Sequence, residues 1–266
     1  MSSKDNMNQI REFWTEQAIE HGDSPSASWS DQRAIDLEIR EIVNYINDGD
    51  TVFDIGCANG YSTIQFACEK NIKISGIDLI PEMIDTANMR KKQLSDKILG
   101  DAEFDVGDIL ALNNHDRQYD KVIVTRVVIN LNNWENQRRA LQNCAELVKP
   151  GGLLLISEAT IQGWENLNNL RGEWGLKEIP MPTFNTYLDE EKVITTVGAT
   201  LKFVELKNFS STYYVGTRVI KPLLNEALGN KINESDPDME WNRWCSQLPA
   251  YGDYGTQKLF VFKNDS

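Results

Sequence analysis

Cysteine and histidine are scarce in this chain, and that scarcity removes most metal and disulfide chemistry from consideration. The four cysteines, Cys57, Cys68, Cys144 and Cys245, are widely spread, form no CxxC pair and have only two histidines to join them as ligands. Positive charge is also short. The 27 basic residues stand against 40 acidic ones, a formal net charge of -13 that repels nucleic-acid backbones and anionic lipid. No apolar window approaches the length that spans a bilayer, and the opening MSSKDNMNQIREFW has no basic stretch leading into an apolar one. These absences predict a cytoplasmic protein with a small-molecule partner, no metal, no nucleic acid and no membrane. They leave the oligomeric state open.

What is present is an alternation. Residues 1–48 read as helical, with Ile10, Phe13, Trp14 and Ala18 on one face and Ile35, Ile39, Ile42, Val43 and Ile46 on another, separated by the loop HGDSPSASWSD. From residue 51 short apolar runs (TVFDIG, IKISGIDL, AEFDVGD, YDKVIVT, GGLLLISEA) alternate with helical stretches, the pattern of a parallel sheet wrapped by helices. Pro81 can start a helix through PEMIDTANMRKKQL, and WENQRRALQNCAELV gathers Leu141, Cys144, Ala145 and Val148 on one side before KPGG is expected to stop it. Two further strands, TLKFVELKNF and QKLFVFKN, are separated by roughly fifty residues, too many for a bare loop. That excess, with its helical candidate TRVIKPLLNEAL, predicts a cap. No repeat or low-complexity tract is present.

In open parallel sheets a ligand lies beyond the carboxyl ends of the strands, where FDIGCANG would sit. Gly56 and Gly60 allow backbone to approach a ligand, and the helix starting near Gly60 offers free N–H groups. The order Gly56, Cys57, Ala58, Asn59, Gly60 is not the GxGxxG of dinucleotide folds, and no Gly-Lys-Ser/Thr follows for a nucleotide phosphate. The carboxylate of Asp54 beside this turn suits a cation, not a pyrophosphate.

VFDIGCANG, then GIDL with Asp78, then DVGDIL with Asp108, then KPGGLLLISE together resemble the class I methyltransferases that use S-adenosylmethionine, over about residues 30–160. The first motif of that family is an acid followed by a glycine-rich turn, usually GxGxG; here Ala58 replaces the middle glycine, a departure tolerated if its φ is negative. The resemblance implies an α/β fold: a doubly wound, seven-stranded, mostly parallel Rossmann-like sheet with an N-terminal helical lid and C-terminal cap insertions. The expected divisions are a lid at 1–48, a cofactor-binding core at 49–160, and the rest of the sheet with the cap at 161–266, all in one structural domain.

The cofactor has no phosphate; it carries a sulfonium, a ribose diol and an adenine amine, each asking for a carboxylate or carbonyl. On the family pattern Asp54 and Gly56, with Cys57, Ala58 and Gly60, line the methionine end. Asp78 accepts the ribose hydroxyls, Leu79 packs on the adenine, and Asp108 with Ile109 reads the adenine amine and face. Arg126, placed with the cofactor, and Asn130, placed with the acceptor, are the candidates to bind the donor's carboxylate or the acceptor, within the segment TRVVINL where the superfamily's acceptor meets the methyl group. That segment lacks the Asn/Asp-Pro-Pro-aromatic tetrad of nucleic-acid amino-methyltransferases, which disfavours nucleobase methylation.

Methyl transfer from a sulfonium is an in-line displacement, so the protein's main task is alignment; a hydroxyl acceptor also needs a base. His21, in the expected lid, is the first candidate and Glu158, ending the fifth strand, its rival; His115, in LNNHDRQ, reads as a solvated loop residue. Trp29 in the lid segment and Tyr213, Tyr214 and Arg218 in the aromatic-rich C-terminal region are the expected acceptor contacts. SWSDQRAIDLEIREI, GYSTIQFA, GLKEIPMPTFNTYLDEEKV and STYYVGTRVI are similar to methyltransferases of bacterial surface-polysaccharide gene clusters, which implies a sugar-like or phosphorylated acceptor methylated on oxygen or nitrogen. A cofactor-binding protein without transfer activity and, further off, a nicotinamide oxidoreductase remain the alternatives.

Overall fold

The computed structural model describes residues 3–114, 117–229, 231, 233, 236 and 239–266, with backbone alone at 3–7, 113 and 114. Seven strands form one sheet in the order β3-β2-β1-β4-β5-β7-β6. They are β1 (Thr51–Ile55), β2 (Lys73–Asp78), β3 (Asp101–Val106), β4 (Tyr119–Thr125), β5 (Val148–Ala159), β6 (Lys202–Lys207) and β7 (Gln257–Lys263). The first five pair in parallel, while β7 runs antiparallel to both β5 and β6. Strand order reverses at β1 and β4, so their carboxyl ends diverge and leave a crevice.

Side-chain alternation builds two cores. Phe53, Ile55, Val122, Val124, Leu154, Ile156, Phe260 and Phe262 face one side, which is covered by α5 (Trp134–Glu146) and α7 (Glu190–Gly198). Val52, Ile74, Ile123, Leu155, Leu259 and Val261 face the other, covered by α2 (Gln32–Val43), α3 (Tyr61–Glu69) and α4 (Pro81–Gln93). Both layers are buried, which is why the central strands read as nearly continuous apolar runs. Burying one such Phe or Ile contributes about 1.5–3 kcal/mol.

The N-terminal segment therefore divides. α2 is a full member of the second layer, with Ile35, Ile39 and Ile42 in its core, whereas α1 (Ser3–His21) and the loop after it rest on Ile80, before α4, and Met83, in its first turn, through Trp14, Ala18 and Ala27. The cap comprises α6 (Ile161–Glu173) and a helical run of α8 (Ser211–Val215), a π turn (Gly216–Ile220) and α9 (Lys221–Ala227), followed by α10 (Glu240–Cys245). Its own core joins Leu167, Leu176, Tyr213, Tyr214 and Val219 to Ala34 of α2.

One stop signal is corrected. α5 ends at Glu146, with the Leu147 N–H closing the last turn, and KPGG lies inside β5 as its irregular entry, with Gly151 at φ +79°. Among the described residues no helix is long and apolar enough to cross a membrane.

Candidate functional site

A cleft, roughly 870 Å³ with the open solvent in its mouth included, lies at the carboxyl ends of β1, β2 and β4. Its floor is the turn after β1. The Gly56 and Cys57 amides both donate to the Ile77 carbonyl, at 2.7 and 2.9 Å, which folds the turn over the end of β2. Gly56 has φ +78°, and a Cβ there would lie 1.9 Å from a methyl of Val127, so only glycine lets the turn meet the loop after β4. Ala58 adopts φ +46°, contrary to the negative φ under which it was expected to be harmless.

Asp78, the last residue of β2, reaches back over that turn. One oxygen accepts the Ala58 amide at 3.0 Å and the other the Ile80 amide at 2.9 Å, the Leu79 amide is a third donor, and the carboxylate lines the cleft. Burial pushes its carboxyl up to about 6 against the pull of these amides. Leu79 and Ile109 supply apolar walls beside it, and Asp108 caps the short helical turn after β3 by accepting the Leu110 amide at 2.8 Å with one oxygen.

The opposite wall is the loop after β4. Arg126 takes the left-handed conformation at φ +57°, stacks over Trp29 at 5.6 Å and forms an ion pair with Glu38 of α2. Burial pulls its guanidinium down to about 10, opposed by the nearby Glu158 charge. Glu38 is fully buried and also accepts from Ser157 Oγ at 2.5 Å and Gln257 Nε2 at 3.2 Å. Asn130 donates to the Arg126 carbonyl at 2.7 Å and lines the cleft with Leu131. α1 closes the mouth with Ile10, Arg11 and Trp14.

The structure thus brings Gly56, Ala58, Asp78, Leu79, Asp108, Ile109, Arg126 and Asn130 to one cleft. Other expected residues stand outside its lining. Asp54 is turned by strand alternation to the α3 side, where it is buried and accepts from Thr63 Oγ1 at 2.5 Å; burial pushes it up to about 6. Cys57 is buried against Gly76, with its thiol pushed well up by burial, and Gly60 caps α3 at φ +72°. His21 ends α1 and does not line the cleft, nor does Glu158, which is buried behind the loop after β4. His115 lies outside the described residues.

Tyr213 and Tyr214 belong to the core of the cap, because each hydroxyl finds a protein partner there: Tyr213 donates to Asp31 at 2.7 Å, and Tyr214 bonds Thr256. Arg218 pairs with Asp31 at 2.7 Å and stacks on the Tyr214 ring at 4.2 Å. Residues to which the sequence assigned no site role also take part: Ile10, Arg11 and Trp14 line the cleft, and Glu38 and Asn59 stand behind its walls. Asn59 is buried and donates to the Gly22 and Ser24 carbonyls at 2.9 and 2.8 Å, tying the loop after α1 to the glycine turn.

A family model described as a methyltransferase domain matches residues 46–192. The chain is similar to 27-O-demethylrifamycin SV methyltransferase of Amycolatopsis mediterranei, 26% identical over 112 residues, which make up 41% of this chain and 39% of that one. It spans about half the length of the curated relatives it matches. In fold it is similar to magnesium protoporphyrin IX methyltransferase from Synechocystis PCC 6803 with bound S-adenosylmethionine, at TM-score 0.60 and 12% identity over 97% of each chain. It is also similar to the N-methyltransferase NodS from Bradyrhizobium japonicum in complex with S-adenosylhomocysteine, at TM-score 0.54 and 17% identity over 97% of this chain and 99% of that one.

Proposed function

We propose, for a chain that belongs to the methyltransferase domain family, that the cleft binds S-adenosylmethionine and passes its methyl group to a small-molecule acceptor on oxygen or nitrogen. The observation that carries this reading is Asp78. The Ala58, Leu79 and Ile80 amides fix its carboxylate at the cleft, and the acceptor capacity that remains on it suits a ribose diol. Asp108 has one oxygen left for the adenine amine, between the apolar side chains of Leu79 and Ile109. The Gly56–Ala58 backbone then receives the methionine end, with Arg126 available to its carboxylate.

Transfer in this cleft rests on alignment. The carboxylates among its lining residues are Asp78 and Asp108, both assigned to the nucleoside, and no histidine is among them. An amine delivered neutral, or a hydroxyl acidic enough to ionise itself, needs no protein base. A neutral sugar hydroxyl needs one, and His21 would have to enter the cleft to supply it. Calorimetric titration with S-adenosylhomocysteine, followed by a screen of amines, phenols, carboxylates and sugar phosphates with S-adenosylmethionine, tests the reading. Methylated product from one of these classes supports it; absence of S-adenosylhomocysteine binding overturns it. Binding with no product in any class favours a protein that holds the cofactor without transferring its methyl.

A further inference from the structure

We propose that Glu158 is a positioning residue for methyl transfer, its carboxylate setting from behind the backbone of the 126–131 loop that walls the cleft. The proposal rests on the cofactor reading above for its consequence, although its geometry is independent of it. Glu158 lies next to the end of β5 and is fully buried. One of its oxygens accepts the Val127 and Val128 amides at 2.8 and 2.7 Å, and the other accepts the Ile129 amide at 3.4 Å. Three successive N–H groups converge on one carboxyl group, the arrangement of a backbone nest, here filled by the protein's own side chain.

The loop needs such an anchor. It leaves β4 through the left-handed Arg126, whose amide donates to the Ser157 carbonyl at 3.0 Å. Ser157 and Glu158 thus hold residues 126 to 129 in sequence. The same loop has no slack on its other side, since Val127 packs against Gly56 so closely that a single added carbon would overlap it. A displacement of a few tenths of an ångström at Val127 is therefore passed to the turn assigned to the donor, and in-line transfer is sensitive to that distance. Glu158 does not line the cleft, so its influence on ligands runs through the loop. The ionisable groups around it are Arg126 on the loop, Cys144 on α5 and Lys258, its register partner on β7.

The test compares the full chain with Glu158→Ala and Glu158→Gln by amide hydrogen exchange at residues 127–129 and by S-adenosylhomocysteine titration. Glu158→Ala is expected to exchange at least about tenfold faster at these three amides, relative to strand β4, and to bind S-adenosylhomocysteine about tenfold more weakly. Glu158→Gln keeps an oxygen for Val127 and Val128 but presents N–H₂ to Ile129. It should recover most of the affinity, with faster exchange confined to Ile129. Unchanged exchange at the three amides in both variants overturns the proposal, as does a glutamine variant no better than alanine. If the alanine variant does not fold, the pattern in Glu158→Gln alone decides. If the wild type binds no S-adenosylhomocysteine, the cofactor reading fails while the exchange pattern still judges the anchor.

Discussion

The side chain of Ala58 works against the turn that contains it. At φ +46° its Cβ crowds the backbone at a cost on the order of 1 kcal/mol, yet its amide must face Asp78 for the turn to close. Ala58→Gly removes that crowding but loosens the unfolded chain by about 0.4–1 kcal/mol. The expected result in urea unfolding is a stability between unchanged and about 0.6 kcal/mol higher, where glycine for alanine ordinarily destabilises. Asp78 carries the pH dependence. Burial raises it and Asp54 from 3.8 to about 6, so their contribution to the stability of the unliganded fold is full below 3.8 and is lost as pH rises through 6. Ribose hydroxyls donate, and so favour the ionised form. Affinity for S-adenosylhomocysteine is expected to rise from about pH 5 to about pH 7 and then level off. Asp78→Ala should weaken it at least about tenfold and flatten that rise, both read by titration calorimetry. That Asp78 and Asp108 reach the cleft is legible from sequence because the chain turns immediately after them. Asp54 was assigned one layer too far forward, since its position inside β1 gives it the parity of Val52 and points it at Thr63.

Between elements, the described residues tie the loop after α1 to the glycine turn and to α4. The loop after α1 hangs from the Asn59 amide, while Arg90 of α4 donates to the Asn59 and Asp23 carbonyls and Phe13 packs on Phe184 at 4.7 Å. Asn59→Ala leaves the Gly22 and Ser24 carbonyls without that donor. It should cost about 1–3 kcal/mol, accelerate proteolytic cleavage near residues 22–30 and weaken S-adenosylhomocysteine binding several-fold, with far-ultraviolet circular dichroism unchanged. The strands and principal helices were readable because period and breakers agreed locally. The lid contacts were not, because Asn59 finds its partners 35 and 37 residues away, a distance no local pattern encodes. The tyrosines assigned to the acceptor illustrate the same limit: an aromatic pair at 213–214 has one composition whether it walls a cleft or fills the core of a cap.

At the scale of the whole molecule, Asp31 joins the N-terminal part of the chain to the cap. It caps α2 by accepting the Ala34 amide at 3.2 Å, and the same carboxylate receives the Tyr213 hydroxyl and the Arg218 guanidinium, 182 and 187 residues further on. The cap is foreshadowed in sequence only as surplus length between the last two strands; what ties it to the start of α2, beside the apolar packing on Ala34, is this buried acid, which reads in sequence as an ordinary helix cap. Since β6 and β7 complete the sheet beside β5 and bury Leu259, Phe260, Val261 and Phe262, the cap and the core should unfold together. Asp31→Asn can keep the helix cap but removes the charge opposite Arg218, leaving a largely buried guanidinium without its counter-ion. The expected effect is a loss of about 3 kcal/mol, seen in urea as one cooperative transition at lower midpoint with an unchanged slope. Two separated transitions would instead mean that the cap folds as a unit of its own and that Asp31 only docks it. Replacing Arg218 by Met in the same variant should recover part of the loss, because the desolvated charge is then gone from both sides of the junction.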